Sequence, residues 1–130
     1  MIRGIIFGCW DLFHVGHLRA LLAASKQCDV LYIGIFSDEV IKDYKGHFPI
    51  ISYLDRYLII ANLSLHSRII PFGMNHRSKI SLSEYHKVFV SDKLRRYAII
   101  PDDYGGEIVQ LPYDKSTSTT KIKEKIKNES

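Results

Sequence analysis

The chain has 130 residues, of which 46% are apolar and 25% charged, which excludes disordered and collagen-like proteins. Its formal net charge of +4 favours an anionic ligand, but much of the excess lies in one lysine-rich segment near the C-terminus, so we expect no nucleic-acid partner. No apolar run approaches the roughly 20 residues of a membrane span, and the cysteines Cys9 and Cys28 make neither a disulfide framework nor a metal-ligand pattern. We therefore expect a single cytoplasmic domain over residues 1–130 with no protein-bound metal.

Short apolar runs alternate with helix-forming segments along the chain. In chain order, we predict a strand at 2–7, a helix at 15–27, a strand at 29–36, a short helix at 38–44, a helix at 53–64, strands at 68–71, 86–91 and 107–111, and a last helix from 118 or 119 to 127. Residues 72–84 and 92–99 have no clear pattern. The alternation predicts an α/β fold: a Rossmann-like open, mostly parallel five-stranded sheet with helices on both faces.

The positions of the apolar residues predict which helix faces pack on the sheet. The first helix is expected to bury Leu18, Leu21, Leu22 and Ala24. The helix at 53–64 is expected to bury Leu54, Leu58, Ile59, Ala61 and Leu63.

The turn after the first strand carries the most informative residues. His14 and His17 lie three residues apart, with Gly16 between them, where the first helix begins. Ligands of open α/β sheets bind outside the carboxyl ends of the strands, and the free N–H groups of a first helical turn attract anions. This turn is therefore predicted to bind phosphate, with both imidazoles directed at it. A zinc site is a poor alternative, because no further ligands stand at a recognisable spacing.

Two segments carry the resemblance to a known family. Residues 8–17, Gly8-Cys9-Trp10-Asp11-Leu12-Phe13-His14-Val15-Gly16-His17, resemble the first signature of the cytidylyltransferase-like nucleotidyltransferases, with Trp10 where phenylalanine is usual. Near the other end, Ser118-Thr119-Thr120-Lys121-Ile122 is similar to that family's last motif. The resemblance implies transfer of a nucleotidyl group, with CTP favoured as donor, to a small phosphomonoester such as glycerol 3-phosphate, releasing pyrophosphate. It also implies Mg²⁺ bound mainly through the nucleotide phosphates, and a homodimer.

The resemblance also implies roles for individual residues. The implied catalytic residues are His14, His17, Lys45 and Lys121. The implied nucleotide-binding residues are Gly8, Cys9, Trp10, Asp11, Gly16, Asp92, Ser118, Thr119 and Thr120. Lys45 and Arg56 are the implied acceptor-binding residues. From the residues alone, Lys45 is typical of a solvated loop lysine, Arg56 of a side chain covering a helix face, and Thr119 of a helix cap.

Two segments depart from the family pattern. An acidic residue followed by a tryptophan is expected after the fourth strand, but within residues 90–96 Asp92 is the only acidic residue and no tryptophan follows it. The arginine and glycine expected before the last motif are absent from residues 113–117. These departures leave open the nucleotide base, the acceptor, and an alternative function as a nucleotide-binding regulatory or interaction module without transferase activity.

Overall fold

The computed structural model describes residues 1–74, 81–91, 100–112 and 119–129. Within these ranges the chain forms five strands and four helices. Their bounds are β1 Arg3–Gly8, α1 Val15–Ser25, β2 Val30–Phe36, α2 Asp38–Lys45, α3 Tyr53–Ala61, β3 Ser67–Phe72, β4 Lys87–Val90, β5 Glu107–Gln110 and α4 Thr119–Glu129. The predicted strands and the helices α1, α2 and α4 agree with these bounds within two residues, while α3 ends three residues earlier than predicted.

The five strands form one sheet in the order β3-β2-β1-β4-β5, and every described pairing is parallel. β1 is the central strand, paired with β2 from Arg3 to Gly8 and with β4 from Gly4 to Ile6. The order reverses at β1, because β2 and β3 lie on one side of it and β4 and β5 on the other. Such a reversal opens a crevice at the carboxyl ends of the strands. The turn with His14 and His17 begins at this crevice.

Helices cover both faces of the sheet, as predicted. One core contains Leu21 and Ala24 of α1 with Ile60 of α3, packed against Ile6, Ile33 and other residues of the sheet. The other contains Val40 and Ile41 of α2 with Phe7, Phe36 and Phe72 of the strands. The sheet is thus buried on both sides, which explains the near-continuous apolar character of β2. Within the described ranges, no helix is both long and apolar enough to cross a membrane.

The predicted buried face of α3 is wrong. Four of the residues expected to be buried, Leu54, Leu58, Ile59 and Ala61, are exposed, whereas Arg56 and Ile60 are buried. Apolar side chains surround this helix, so their spacing alone does not define its orientation. The orientation follows instead from the buried Arg56 side chain, described below. On α1, Leu22 is likewise exposed although it was expected to pack on the sheet.

Gly34 in β2 is required by close packing. A Cβ atom there would lie 2.3 Å from Cδ1 of Phe7. The Phe7 ring has little room to move, because it stacks on Phe36 with centroids 6.4 Å apart and meets Phe72 edge-on at 5.3 Å. A methyl group at position 34 therefore forces a shift in a close-packed core.

We expect Gly34→Ala to lower the free energy of unfolding by about 1–3 kcal/mol through overpacking. Urea unfolding measures this change. Gly105→Ala is the matched control, because a Cβ atom at Gly105 meets no atom within 4 Å. Equal stability of the two variants would contradict the packing argument.

Candidate active site

The backbone of the β1–α1 turn is tightly constrained. Trp10 and Leu12 both have positive φ angles, 57° and 47°, a conformation that side chains rarely adopt without support. The Trp10 indole is 5% exposed and its Nε1–H donates to the carbonyl oxygen of Gly34 over 3.1 Å. The same ring excludes a side chain at Gly8, where a Cβ atom would lie 2.7 Å from Trp10 Cε2. Trp10 therefore packs in the core and shapes the turn, while its implied contact with nucleotide stays a prediction.

The Asp11 carboxylate connects this turn to the segment before α3 through hydrogen bonds. Asp11 is 4% exposed. Its Oδ1 accepts hydrogen bonds from the backbone N–H groups of Leu12 (3.1 Å) and Ile51 (2.8 Å), and its Oδ2 accepts one from Ile50 (2.9 Å). These three bonds occupy both carboxylate oxygens. Asp11 is thus placed to orient the turn rather than to bind nucleotide through its carboxylate.

His14 and His17 cap the first turn of α1 reciprocally. His14 is the N-cap residue, and its Nδ1 accepts the backbone N–H of Gly16 over 3.0 Å. His17 Nδ1 accepts the backbone N–H of His14 over 3.2 Å. Because both Nδ1 atoms act as acceptors, both rings carry their proton on Nε2 when neutral. The rings stack with centroids 3.9 Å apart, so the turn presents two adjacent Nε2–H donors.

The surroundings of His17 favour its neutral form. Its ring stacks on Phe13 at 5.3 Å and meets Trp10 edge-on at 5.6 Å. Burial, followed by the nearby positive charges of His14 and Lys45, lowers the pKa of His17 to about 3, against the opposing charge of Asp11. At neutral pH, His17 is therefore a hydrogen-bond donor without a formal charge.

Lys45 lies at the same site from a different element. It is the last residue of α2, which ends at Gly46 in the left-handed conformation with φ of 83°. Its ammonium group lies near the Cys9 side chain, where it opposes the rise of the Cys9 pKa, and near His17, where it helps to lower the His17 pKa. Burial raises the pKa of the Cys9 thiol, although Lys45 and Arg56 oppose the shift, so Cys9 is a neutral thiol at pH 7. The structure thus brings Lys45 near His17, while its implied catalytic role stays a prediction.

Arg56 does not have the position expected of an acceptor-binding residue. It is 0% exposed, and its guanidinium donates to the carbonyl oxygens of Ile51 (3.0 Å), Cys9 (2.7 Å) and Phe36 (2.8 Å). It also pairs with the Asp38 carboxylate. The side chain has no exposed surface for an acceptor phosphate, so we correct the acceptor-binding assignment: Arg56 joins the ends of two strands to the starts of two helices.

The start of α4 meets the turn from the other end of the chain. The Thr119 hydroxyl donates to the carbonyl oxygen of Asp11 over 2.8 Å. This bond places Thr119, and with it the exposed Thr120 and Lys121 of the first turn of α4, beside the β1–α1 turn. Ser118 and Asp92, also expected at the nucleotide, lie outside the described residues.

Magnesium bound through the nucleotide phosphates stays a prediction of the family resemblance. Among the described residues, no cluster of three histidine, cysteine or acidic side chains is arranged to hold a metal. The Asp11 carboxylate, the acid nearest the histidines in sequence, is occupied by backbone N–H groups.

Sequence reasoning missed two features of the site. The reciprocal histidine cap has the spacing of a capping box, three residues apart, and that spacing was a usable signal. The pairing of Asp38 with Arg56 had only a weak signal, because an acid in the first turn of a helix is typical of any helix start.

We expect His17 to stay neutral with its proton on Nε2 down to about pH 4, which ¹⁵N NMR of the imidazoles measures directly. The unfolded chain takes up this proton near pH 6.5, whereas the folded chain does so only near pH 3. The contribution of His17 to the free energy of unfolding is therefore fully present above pH 6.5. It is lost progressively as the pH falls toward 3, by at most about 1.4 kcal/mol per pH unit.

The variant His17→Asn should accordingly lose less stability than wild type between pH 6.5 and 4. His66→Asn, at an exposed position, is the control and should follow wild type. Protonation of His17 near pH 6 would overturn the assignment.

Comparisons with known proteins agree with this geometry. Residues 5–92 match the family model described as Cytidylyltransferase-like. The chain is 32% identical over 134 residues to glycerol-3-phosphate cytidylyltransferase of Bacillus spizizenii, a match that covers 95% of each protein. It is also 32% identical over 123 residues to bifunctional protein HldE of Helicobacter pylori, where it spans only 26% of the relative's length.

Solved structures show the same fold. A lipopolysaccharide core biosynthesis protein from Thermoplasma volcanium superposes with a TM-score of 0.68 at 20% identity, covering 88% of this chain and 99% of that one. A protein of unknown function from Archaeoglobus fulgidus superposes with a TM-score of 0.60 at 12% identity, covering 90% and 94%. The matched family model and the relative that is covered over 95% of its length show that this chain belongs to the cytidylyltransferase-like family.

Proposed function

We propose that the protein transfers a cytidylyl group from CTP to a small phosphomonoester such as glycerol 3-phosphate and releases pyrophosphate. The observation that carries the proposal is the reciprocal cap of His14 and His17, which fixes two Nε2–H donors side by side at the start of α1. Support for this donor and acceptor comes from the relative matched along its whole length, which is a glycerol-3-phosphate cytidylyltransferase.

The reaction forms one bond and breaks one. A phosphate oxygen of the acceptor attacks the α-phosphorus of the nucleotide, and the bond from that phosphorus to the β-phosphate bridging oxygen breaks. Pyrophosphate leaves with the electron pair of the broken bond. Such a displacement needs alignment and charge stabilisation more than a protein nucleophile.

Each group at the site has a distinct role in this proposal. The Nε2–H donors of His14 and His17 stabilise the negative charge that develops on the α-phosphate oxygens and on the leaving oxygen. Because they are held in place before substrate binds, they need little reorganisation during the reaction. Lys45 carries the positive charge that binds and aligns the phosphate of the acceptor.

The start of α4 is proposed to hold the β- and γ-phosphates. Thr119, Thr120 and Lys121 occupy its first turn, where free backbone N–H groups attract anions. Ser118 and Asp92 retain their proposed nucleotide contacts on the family resemblance. Mg²⁺ bound to the nucleotide phosphates supplies further charge neutralisation.

A second candidate function is a nucleotide-binding module without transferase activity. It is favoured by the sequence departures at residues 90–96 and 113–117, which lie mostly outside the described residues. A screen of the four nucleoside triphosphates against a panel of phosphorylated alcohols, with Mg²⁺ and pyrophosphate detection, separates the two. Turnover with CTP and one acceptor supports the enzyme, whereas nucleotide binding without turnover across the panel supports the module.

We further propose a homodimer formed through α3. This helix exposes a row of large apolar side chains, of which Leu54 is 64% and Leu58 47% exposed. Contiguous exposed apolar residues of this kind are typical of protein interfaces, and a helix packed on its own copy buries them symmetrically.

We place the protein in the cytoplasm, a reducing compartment, which is consistent with the free thiols of Cys9 and Cys28.

We expect His14→Ala and His17→Ala each to lower kcat by about 10²–10³, as loss of one preorganised donor typically does. Steady-state pyrophosphate release measures this. His66→Ala is the control and should retain wild-type rates, and circular dichroism verifies folding. Full activity in both site variants would refute the proposed roles.

We expect Leu58→Glu to convert the dimer to a monomer, because a charge at the centre of an apolar interface is desolvated without a partner. Light scattering coupled to gel filtration measures the mass. Leu22→Glu, which changes an exposed leucine of α1, should leave the mass unchanged. A monomeric wild-type protein would exclude the interface.

A further inference from the structure

The short helix α2 is capped at both of its ends. At its start, the Ser37 hydroxyl accepts the N–H of Val40 over 3.2 Å, and the Ser37 N–H donates to the carbonyl oxygen of Phe72 over 2.8 Å. At its end, the N–H of Gly46 donates to the carbonyl oxygen of Lys42 over 2.8 Å. Between these ends, Asp38 is the first helical residue and Lys45 the last.

Contacts from both ends of α2 meet at Cys9. Asp38 pairs with the Arg56 guanidinium, which donates to the Cys9 carbonyl oxygen over 2.7 Å. Lys45, at the other end of the helix, has its ammonium group near the Cys9 side chain. The path from Cys9 through Arg56, Asp38 and α2 to Lys45 therefore closes on itself. An eight-residue helix is about 12 Å long and stiff, so displacement of its first residue moves its last.

We propose that Asp38 is a positioning residue: by pairing with Arg56, it fixes α2 against the end of β1 and so holds the Lys45 ammonium at Cys9, beside His17. The consequence for acceptor binding rests on the proposed function, whereas the placement of Lys45 does not. Any negative charge in the first turn stabilises a helix, and the neighbouring Glu39 supplies the same kind of charge as Asp38. Glu39→Gln is therefore a matched control, since Glu39 is exposed.

The first experiment measures the placement of Lys45 without any substrate. The reagent o-phthalaldehyde joins an adjacent thiol and amine into a fluorescent isoindole, so its rate reports how close Cys9 lies to Lys45. All variants carry Cys28→Ser so that Cys9 is the only thiol. Isoindole formation is expected in this background and should be lost in Cys9→Ala and Lys45→Ala.

Asp38→Asn is expected to slow isoindole formation by about tenfold or more, because small misplacements of reacting groups have large effects on rate. Glu39→Gln should react as fast as the background. If Asp38→Asn does not fold, the isoindole rate is measured instead in Asp38→Glu, which keeps the charge but moves it by one methylene group. The same slowing is expected in that variant. An unchanged rate in a folded Asp38 variant overturns the proposal.

The second experiment measures the consequence for the reaction. Asp38→Asn should raise the KM for the phosphorylated acceptor by about tenfold while the affinity for nucleotide stays within about twofold, because Lys45 binds the acceptor. In a Lys45→Ala background, Asp38→Asn should have no further effect on this KM. Fully additive effects would overturn the proposal. If the wild type shows no turnover with any acceptor, the proposed function fails, and the isoindole rates alone decide the role of Asp38.

Discussion

The buried guanidinium of Arg56 is the interaction on which the rest of the site depends. It satisfies carbonyl groups at the ends of β1 and β2 and in the segment before α3, and it pairs with a carboxylate at the start of α2. A buried charge is tolerated only when paired and fully hydrogen-bonded, and its removal would leave these partners unsatisfied in the interior. One side chain therefore fixes the relative positions of two strands and two helices around the crevice at the end of β1.

The β1–α1 turn is built from backbone restraints before it contacts any ligand. Its two left-handed residues are held by the Trp10 hydrogen bond to β2, and the three hydrogen bonds to the Asp11 carboxylate tie the turn to the segment preceding α3. Strain of this kind persists only when the surrounding structure enforces it, and it is concentrated at functional sites. The stacked histidines that follow are consequently held rigidly, with donors directed by the reciprocal cap rather than by substrate.

The sequence predicted the architecture well because buried parallel strands and short amphipathic helices leave strong local patterns. It predicted that the two ends of the chain meet, and Thr119 does bond to Asp11. The prediction of the buried face of α3 was wrong. Apolar residues lie on several faces of this helix, and their pattern does not reveal that the face with Arg56 is the buried one. For the same reason Arg56 and Asp11 were expected to bind substrates: a charged residue at a site has the same appearance in sequence whether it contacts a ligand or other parts of the protein.

The sequence by itself determined the family, the order of helices and strands along the chain, and the two histidines at the first turn, because each leaves its signal in short local stretches of sequence. The tertiary structure alone decided which charges are available to substrate. Lys45 and Cys9 are far apart in sequence and adjacent in the fold, whereas Arg56 is withdrawn into the interior. Burial and hydrogen-bond partners are set by distant segments of the chain, and those partners distinguish a charge that binds phosphate from one that holds the site together.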